Sequence, residues 1–277
     1  MFHKKIHLKE HFAFLGEGGR DPVLSLYLLD NSPEISRQKK KLPCLVICPG
    51  GGYAFVSPRE AEPIALRFLP EGYNVFVLEY SVAPHRFPTQ LLEMAAVMEL
   101  IHENGENWGC DVTKVAVMGF SAGGHLAGHY ATCYDCEEVR GVFPRSKGVQ
   151  ASVLCYPVIT AEPAYRHTGS FQNLSGQEDL TPEIVRKFSL EKQVKATTPP
   201  AFLWHTGADN LVPVMNSLLY AQALAENKVS FALRIYPIGC HGLATVDEQT
   251  CSLDALENPE AHEWIAAAIR WLKDRMG

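Results

Sequence analysis

No apolar segment of the 277 residues approaches the roughly 18 or more that a membrane-spanning helix requires. Positive charge is also in short supply: 25 Lys and Arg stand against 31 Asp and Glu, a net charge of -6. Such a balance does not attract a polyanion, so neither a nucleic-acid nor a membrane partner is expected. The single basic run, Arg37-Gln38-Lys39-Lys40-Lys41, is short, lies between two strand patterns and reads as a solvated loop. There is no polar, Gly/Pro-rich linker and no internal repeat, so one domain spanning 1–277 is expected. The opening residues, Met1 to Glu10, carry basic side chains with no apolar stretch behind them, and no secretory signal is expected. A cytoplasmic location follows as the expectation, with the eight scattered cysteines read as reduced, buried thiols. Cys133 and Cys136 form a lone Cys-x-x-Cys without a second pair, which argues against a zinc site. Neither a metal nor a cofactor is expected. Cys240 reads as a small packing residue.

What the chain does have is ordinary globular composition, 47% hydrophobic and 20% charged, enough for a substantial core. Leu42–Cys48 and Tyr73–Tyr80 are continuous apolar runs of the kind a strand buried on both faces requires. Val23–Leu29, Lys114–Met118, Ala151–Val158, Ala201–His205 and Phe231–Tyr236 complete the expected strands. Helices are expected over Arg59–Leu69, Thr89–Glu103, Val214–Glu226 and Pro259–Arg275, the last with Trp264, Ile265, Ala268, Ile269 and Leu272 on one stripe. Alternation of strands with helices predicts an α/β fold with a mostly parallel, doubly wound sheet. The rhythm breaks between 160 and 198, a polar, turn-rich stretch with one helical piece at Pro182–Lys187. So long an irregular segment inside a domain reads as a lid or substrate-binding insertion.

The chemistry centres on Gly119-Phe120-Ser121-Ala122-Gly123. An apolar strand precedes it and a helical pattern follows, the setting of a nucleophile elbow. A sharp strand-to-helix turn strains the serine backbone and needs small neighbours on both sides. The hydroxyl is a weak nucleophile until a histidine takes its proton and a carboxylate steadies that histidine. Downstream, Asp209 follows the Ala201–His205 strand and His241 follows the Phe231–Tyr236 strand, in the order Ser, acid, His. His205 precedes the acid, while His125 and His129 fall in the elbow helix, so none of these keeps the strand-end order. Asp247 and Asp254 are the alternative acids, both placed after the histidine. Acyl transfer also needs N–H donors for the carbonyl oxygen. The Ala122 amide supplies one, and the loop Gly50-Gly51-Gly52 after Leu42–Cys48 is the expected source of the second.

With Pro49-Gly50-Gly51-Gly52-Tyr53, the run Phe76 to Pro84, the elbow Gly119 to Ala127 and Gly207-Ala208-Asp209-Asn210-Leu211-Val212-Pro213, the chain resembles the α/β-hydrolase superfamily. Within it, the small esterases grouped with acetyl xylan esterases and hormone-sensitive-lipase-like enzymes are most similar. That resemblance implies the α/β-hydrolase fold and a catalytic set of Ser121, Asp209 and His241. It also implies an oxyanion hole from the amides of Gly51, Gly52 and Ala122. One departure is Pro49, which stands where lipase-like relatives carry a histidine. The implied function is a serine carboxylic-ester hydrolase removing short acyl groups, such as acetate, from carbohydrate esters. The substrate partner would be a small ester or an acetylated oligosaccharide. An amidase or exopeptidase of the same fold and a non-catalytic small-molecule receptor are the alternatives; the latter would be expected to have lost one of the three residues.

Overall fold

Apolar runs in the sequence become the middle of a single sheet, and their alternating side chains build a core on each of its faces. The computed structural model describes residues 1–277 except 31, 33, 35–39 and 252–258. Arg37, Gln38 and Lys39 of the basic run, and Asp254, therefore lie outside the described residues. Strands β1 (Phe2–His7), β2 (Val23–Leu28), β3 (Leu42–Cys48), β4 (Asn74–Glu79), β5 (Cys110–Phe120), β6 (Ala151–Cys155), β7 (Ala201–Thr206) and β8 (Phe231–Tyr236) pair in the order β1-β2-β4-β3-β5-β6-β7-β8. The pairs from β4 through β8 are parallel, whereas β2 is antiparallel to both β4 and β1. This is the mostly parallel α/β-hydrolase sheet expected.

Helices cover both faces. Val46, Cys48, Phe76, Leu78 and Val117 pack with residues of α2 (Thr89–Asn104), α3 (Ser121–Cys133) and α7 (Met215–Glu226). The alternate residues Leu45, Ile47, Val75, Val77, Ala116 and Met118 pack with α1 (Glu62–Phe68) and α8 (Glu263–Met276), whose Trp264 and Trp271 anchor that layer. The two-residue period of the strands thus sorts one sequence into two cores. No described helix is long and apolar enough to cross a membrane.

Several boundaries differ from expectation, each for a physical reason. The helix expected over Arg59–Leu69 opens as a 3-10 turn, Pro58–Glu60, and becomes α-helical only from Glu62. The chain kinks at Ala61 (φ -105°, ψ -106°) because Glu60 turns inward and is buried. The strand expected to reach Val158 stops at Cys155, where Tyr156 adopts φ +36° and Val158 N–H donates to the Ser121 carbonyl instead. β1 was not legible, since of its residues only Ile6 is buried; Lys4 and Lys5 blunt this outer edge against further pairing. The 160–198 stretch holds a second helix, α5 (Thr168–Ser175), besides α6 (Pro182–Phe188). Phe171, Leu174, Val185, Phe188 and Leu190 bind it to the core. Between α3 and β6 lies the short α4 (Glu137–Arg140). Beyond α8 (Glu263–Met276), Lys114 Nζ on β5 donates to the Gly277 carbonyl at 3.0 Å.

Candidate active site

Parallel strands present their carboxyl ends along one edge of the sheet, and the candidate residues all sit there. Ser121 caps β5 with φ +52°, a left-handed conformation that an L-residue rarely holds. The flanking glycines explain how the turn closes. A Cβ on Gly119 would lie 2.1 Å from the Gly123 carbonyl oxygen. One on Gly123 would lie 2.1 Å from the Cys48 and 2.2 Å from the Pro49 oxygens. The Gly-x-Ser-x-Gly spacing is therefore a packing requirement between the elbow and the end of β3.

Ser121 Oγ lies 2.8 Å from His241 Nε2, and His241 Nδ1 lies 2.7 Å from Asp209 Oδ2. With Nδ1–H donating to the carboxylate, Nε2 is free to accept the serine proton. Asp209 comes from the loop after β7 and His241 from the loop after β8. The three groups, far apart in sequence, are brought together by strand order alone. Asp209 is fully engaged: Oδ1 accepts the amides of Leu211 (3.0 Å) and Val212 (2.9 Å). Burial raises the Asp209 pKa, but hydrogen bonds from His205 and His241 outweigh it and hold the carboxyl well below the usual range.

The loop after β3 lies alongside. Gly51 and Gly52 line a cleft of about 380 Å³ together with Ser121, His241, Phe55, Arg59 and Glu60. His167, Gly169 and Asn173 of the 160–198 segment close another side of it. Among the described residues, the amides of Gly51, Gly52 and Ala122 donate to no protein acceptor. Gly51 (φ +126°) also has no room for a side chain, since a Cβ would lie 2.0 Å from the Phe55 carbonyl oxygen. A larger cleft, about 800 Å³, opens near Ile6, Leu42, Asn104 and Trp108, away from Ser121. It brings none of these reactive groups together.

The rival residues have other work. His205 Nε2 lies 2.9 Å from the Val212 carbonyl and 3.2 Å from Asp209 Oδ2, with Nδ1 accepting from the Ser217 hydroxyl at 2.8 Å. It is a second donor to the acid rather than a base. His125 accepts from Tyr53 Oη at Nδ1 and donates from Nε2 to the Phe188 carbonyl, both at 2.9 Å. Burial brings its pKa down to about 4 and that of neighbouring His129 to about 3. Asp247 pairs with Arg67 and accepts from the Thr245 hydroxyl. Cys240, expected to be packed, is exposed. The contact of His205 with Asp209 was missed from sequence, where its only local signal is its place near the end of β7, four residues before the acid.

Comparison with known proteins bears on the family and the fold. The BD-FAE family model matches residues 33–224. Endo-1,4-beta-xylanase B of Butyrivibrio fibrisolvens is 36% identical over 259 residues, covering 90% of this chain and 39% of its own length. Acetylxylan esterase of Xylanibacter ruminicola is 32% identical over 203 residues, covering 72% of this chain and 40% of its own. The chain therefore spans about two-fifths of the length of these relatives. An acetyl ester-xyloside bifunctional hydrolase from Caldicellulosiruptor lactoaceticus superposes with a TM-score of 0.84 at 34% identity, over 98% of this chain and 96% of that one. The chain belongs to the BD-FAE family, among the α/β-hydrolase esterases that resemble acetyl xylan esterases.

Proposed function

We propose that the protein is a serine carboxylic-ester hydrolase that removes short acyl groups, acetate foremost, from carbohydrate esters. The observation that carries this reading is the unbroken line of hydrogen bonds from Ser121 Oγ through His241 to Asp209, 2.8 and 2.7 Å long. Ser121 Oγ attacks the ester carbonyl while His241 Nε2 takes its proton. Asp209 holds the imidazolium, and the amides of Gly51, Gly52 and Ala122 receive the developing oxyanion. Collapse breaks the acyl–oxygen bond, and the leaving alcohol takes the proton from His241. A water then attacks the acyl-enzyme, passing its proton to His241, which returns it to Ser121 as the acid departs.

The sugar-ester preference is supported by the names of the acetylxylan esterase and acetyl ester-xyloside hydrolase relatives. Residues 160–198 are assigned to the binding surface, because His167, Gly169 and Asn173 line the cleft. We further read 1–277 as one domain.

The test is acetate release from acetylated xylo-oligosaccharides, with p-nitrophenyl acetate in parallel and Ser121→Ala as the control. The substitution is expected to lower kcat about a million-fold on both substrates. Cleavage of the activated ester alone would leave the serine chemistry standing and remove the sugar assignment. Near-normal turnover by Ser121→Ala would remove both.

A further inference from the structure

One carboxylate at the site has no part in the steps above. Glu60 is 3% exposed and sits on the kinked turn that interrupts the expected helix. Its Oε2 accepts the Gly50 N–H at 2.8 Å, and its Oε1 accepts the Tyr156 hydroxyl at 2.7 Å. The Tyr156 oxygen in turn accepts the Ala244 N–H at 3.0 Å, three residues past His241. The Tyr156 ring meets the His241 ring edge-on, centroids 5.0 Å apart. A chain of buried hydrogen bonds thus runs from the glycine loop, through Glu60 and Tyr156, to the loop that carries the histidine.

The fit around Gly50 is close. A Cβ there would lie 2.7 Å from Glu60 Oε2 and 3.0 Å from Ser121 Cβ. The preceding residue, Pro49, offers neither an N–H nor a polar side chain to fix the loop. Tyr80 Oη donates to the Pro49 carbonyl at 2.7 Å and Asn173 Nδ2 to the Gly52 carbonyl at 2.9 Å. Both bonds hold carbonyls, as do those of the Ala54 and Ser57 amides to the Gly51 and Gly50 carbonyls; among the described residues, only Glu60 accepts an amide of Gly50–Gly52. Burial pushes the Glu60 carboxyl up, against the opposing pull of Tyr156, Gly50, His241 and Arg59. A side chain kept there despite that cost has two acceptor oxygens aimed at two donors, which no neutral side chain of this length provides.

We propose that Glu60 is a positioning residue that, with Tyr156, fixes the Gly50–Gly52 amides relative to Ser121 and His241, so that the oxyanion donors are set before substrate arrives. The inference rests on the proposed Ser121 chemistry. Fixed donors act on the tetrahedral oxyanion more than on the ground-state ester, and displacement costs turnover rather than binding.

The experiment compares Glu60→Gln and Tyr156→Phe with wild type on p-nitrophenyl acetate and against a boronic acid that forms a tetrahedral adduct on serine. In Glu60→Gln one acceptor becomes an NH2 facing a donor, and kcat is expected to fall on the order of 10- to 100-fold, below the effect of deleting a hole donor outright. KM should stay near the wild-type value, while boronate affinity weakens in step with kcat. Tyr156→Phe keeps the ring and should act in the same direction, and the double variant should fall no further than Glu60→Gln. If Glu60→Gln does not fold, Tyr156→Phe carries the test. A folded variant with lowered thermal stability but unchanged kcat and boronate affinity overturns the proposal, as does a loss confined to KM. Wild-type-like kcat in Glu60→Gln with an inactive Ser121→Ala would overturn the brace alone; an active Ser121→Ala overturns the serine chemistry and the brace together.

Discussion

Asp209 shows how much of the site is decided by a single carboxylate. Its Oδ1 is occupied by two backbone amides, and its Oδ2 is shared between His241 at 2.7 Å and His205 at 3.2 Å. All four neighbours are donors, so an amide side chain must set its NH2 against at least one of them. Asp209→Asn is therefore expected to cost on the order of ten-thousand-fold in kcat with the fold retained. Stopped-flow turnover together with circular dichroism checks this. A mild effect would separate Asp209 from the histidine it contacts. The same geometry sets the sign of its pH linkage. Because folding depresses the Asp209 pKa, its contribution to stability is present above the ordinary value of 3.8 and is lost only as pH falls through the lower folded value.

Among elements, the elbow and the end of β3 fit together with no spare volume. Gly123→Ala would drive a Cβ into two backbone oxygens, neither of which is a flexible side-chain end. A loss of about 3 kcal/mol is expected, at the upper end of overpacking penalties, and urea denaturation would read it. An unchanged midpoint would mean that the elbow can move away from β3. This fit also explains what could be read from the sequence. The elbow was legible because all its constraints fall within five consecutive residues. Asp209 and His241 were legible because each directly follows an apolar strand. Glu60 and Tyr156 were not, because they bond across 96 residues and neither sits in a local pattern. The break in the helix at Ala61 escaped because the local spacing continues, while Glu60 turns inward to bond the Gly50 amide and the distant Tyr156 hydroxyl. β1 was hidden by having one buried residue, too few for a two-residue period to show.

Across the whole molecule, buried histidines set the response to acid. Burial depresses His125 to about 4 and His129 to about 3, from a usual 6.5. Below about pH 6.5 the unfolded chain binds protons at both rings while the native protein does not, so each lowers stability as pH falls, by about 1 kcal/mol per pH unit. Above pH 7 their effect is flat. Glu93 acts in the opposite sense, its carboxyl raised to about 7 by burial, and gives up its contribution as pH rises from 4.5 through 7. The clean test is a difference. His129→Phe, whose new ring would stack on Phe87 as the imidazole does, should gain stability relative to wild type only below pH 6.5. Parallel unfolding curves at pH 5 and pH 7.5 would show it, and an equal offset at both would contradict it. The bond between Lys114 and Gly277 has a practical bearing. It pins Gly277 beside the early part of β5, while Ser121 stands at the other end of that strand, about 20 Å of extended chain away. A surface coupled through residue 277, such as a bead or a sensor chip, would therefore hold the molecule with the Ser121 cleft turned toward the bulk liquid.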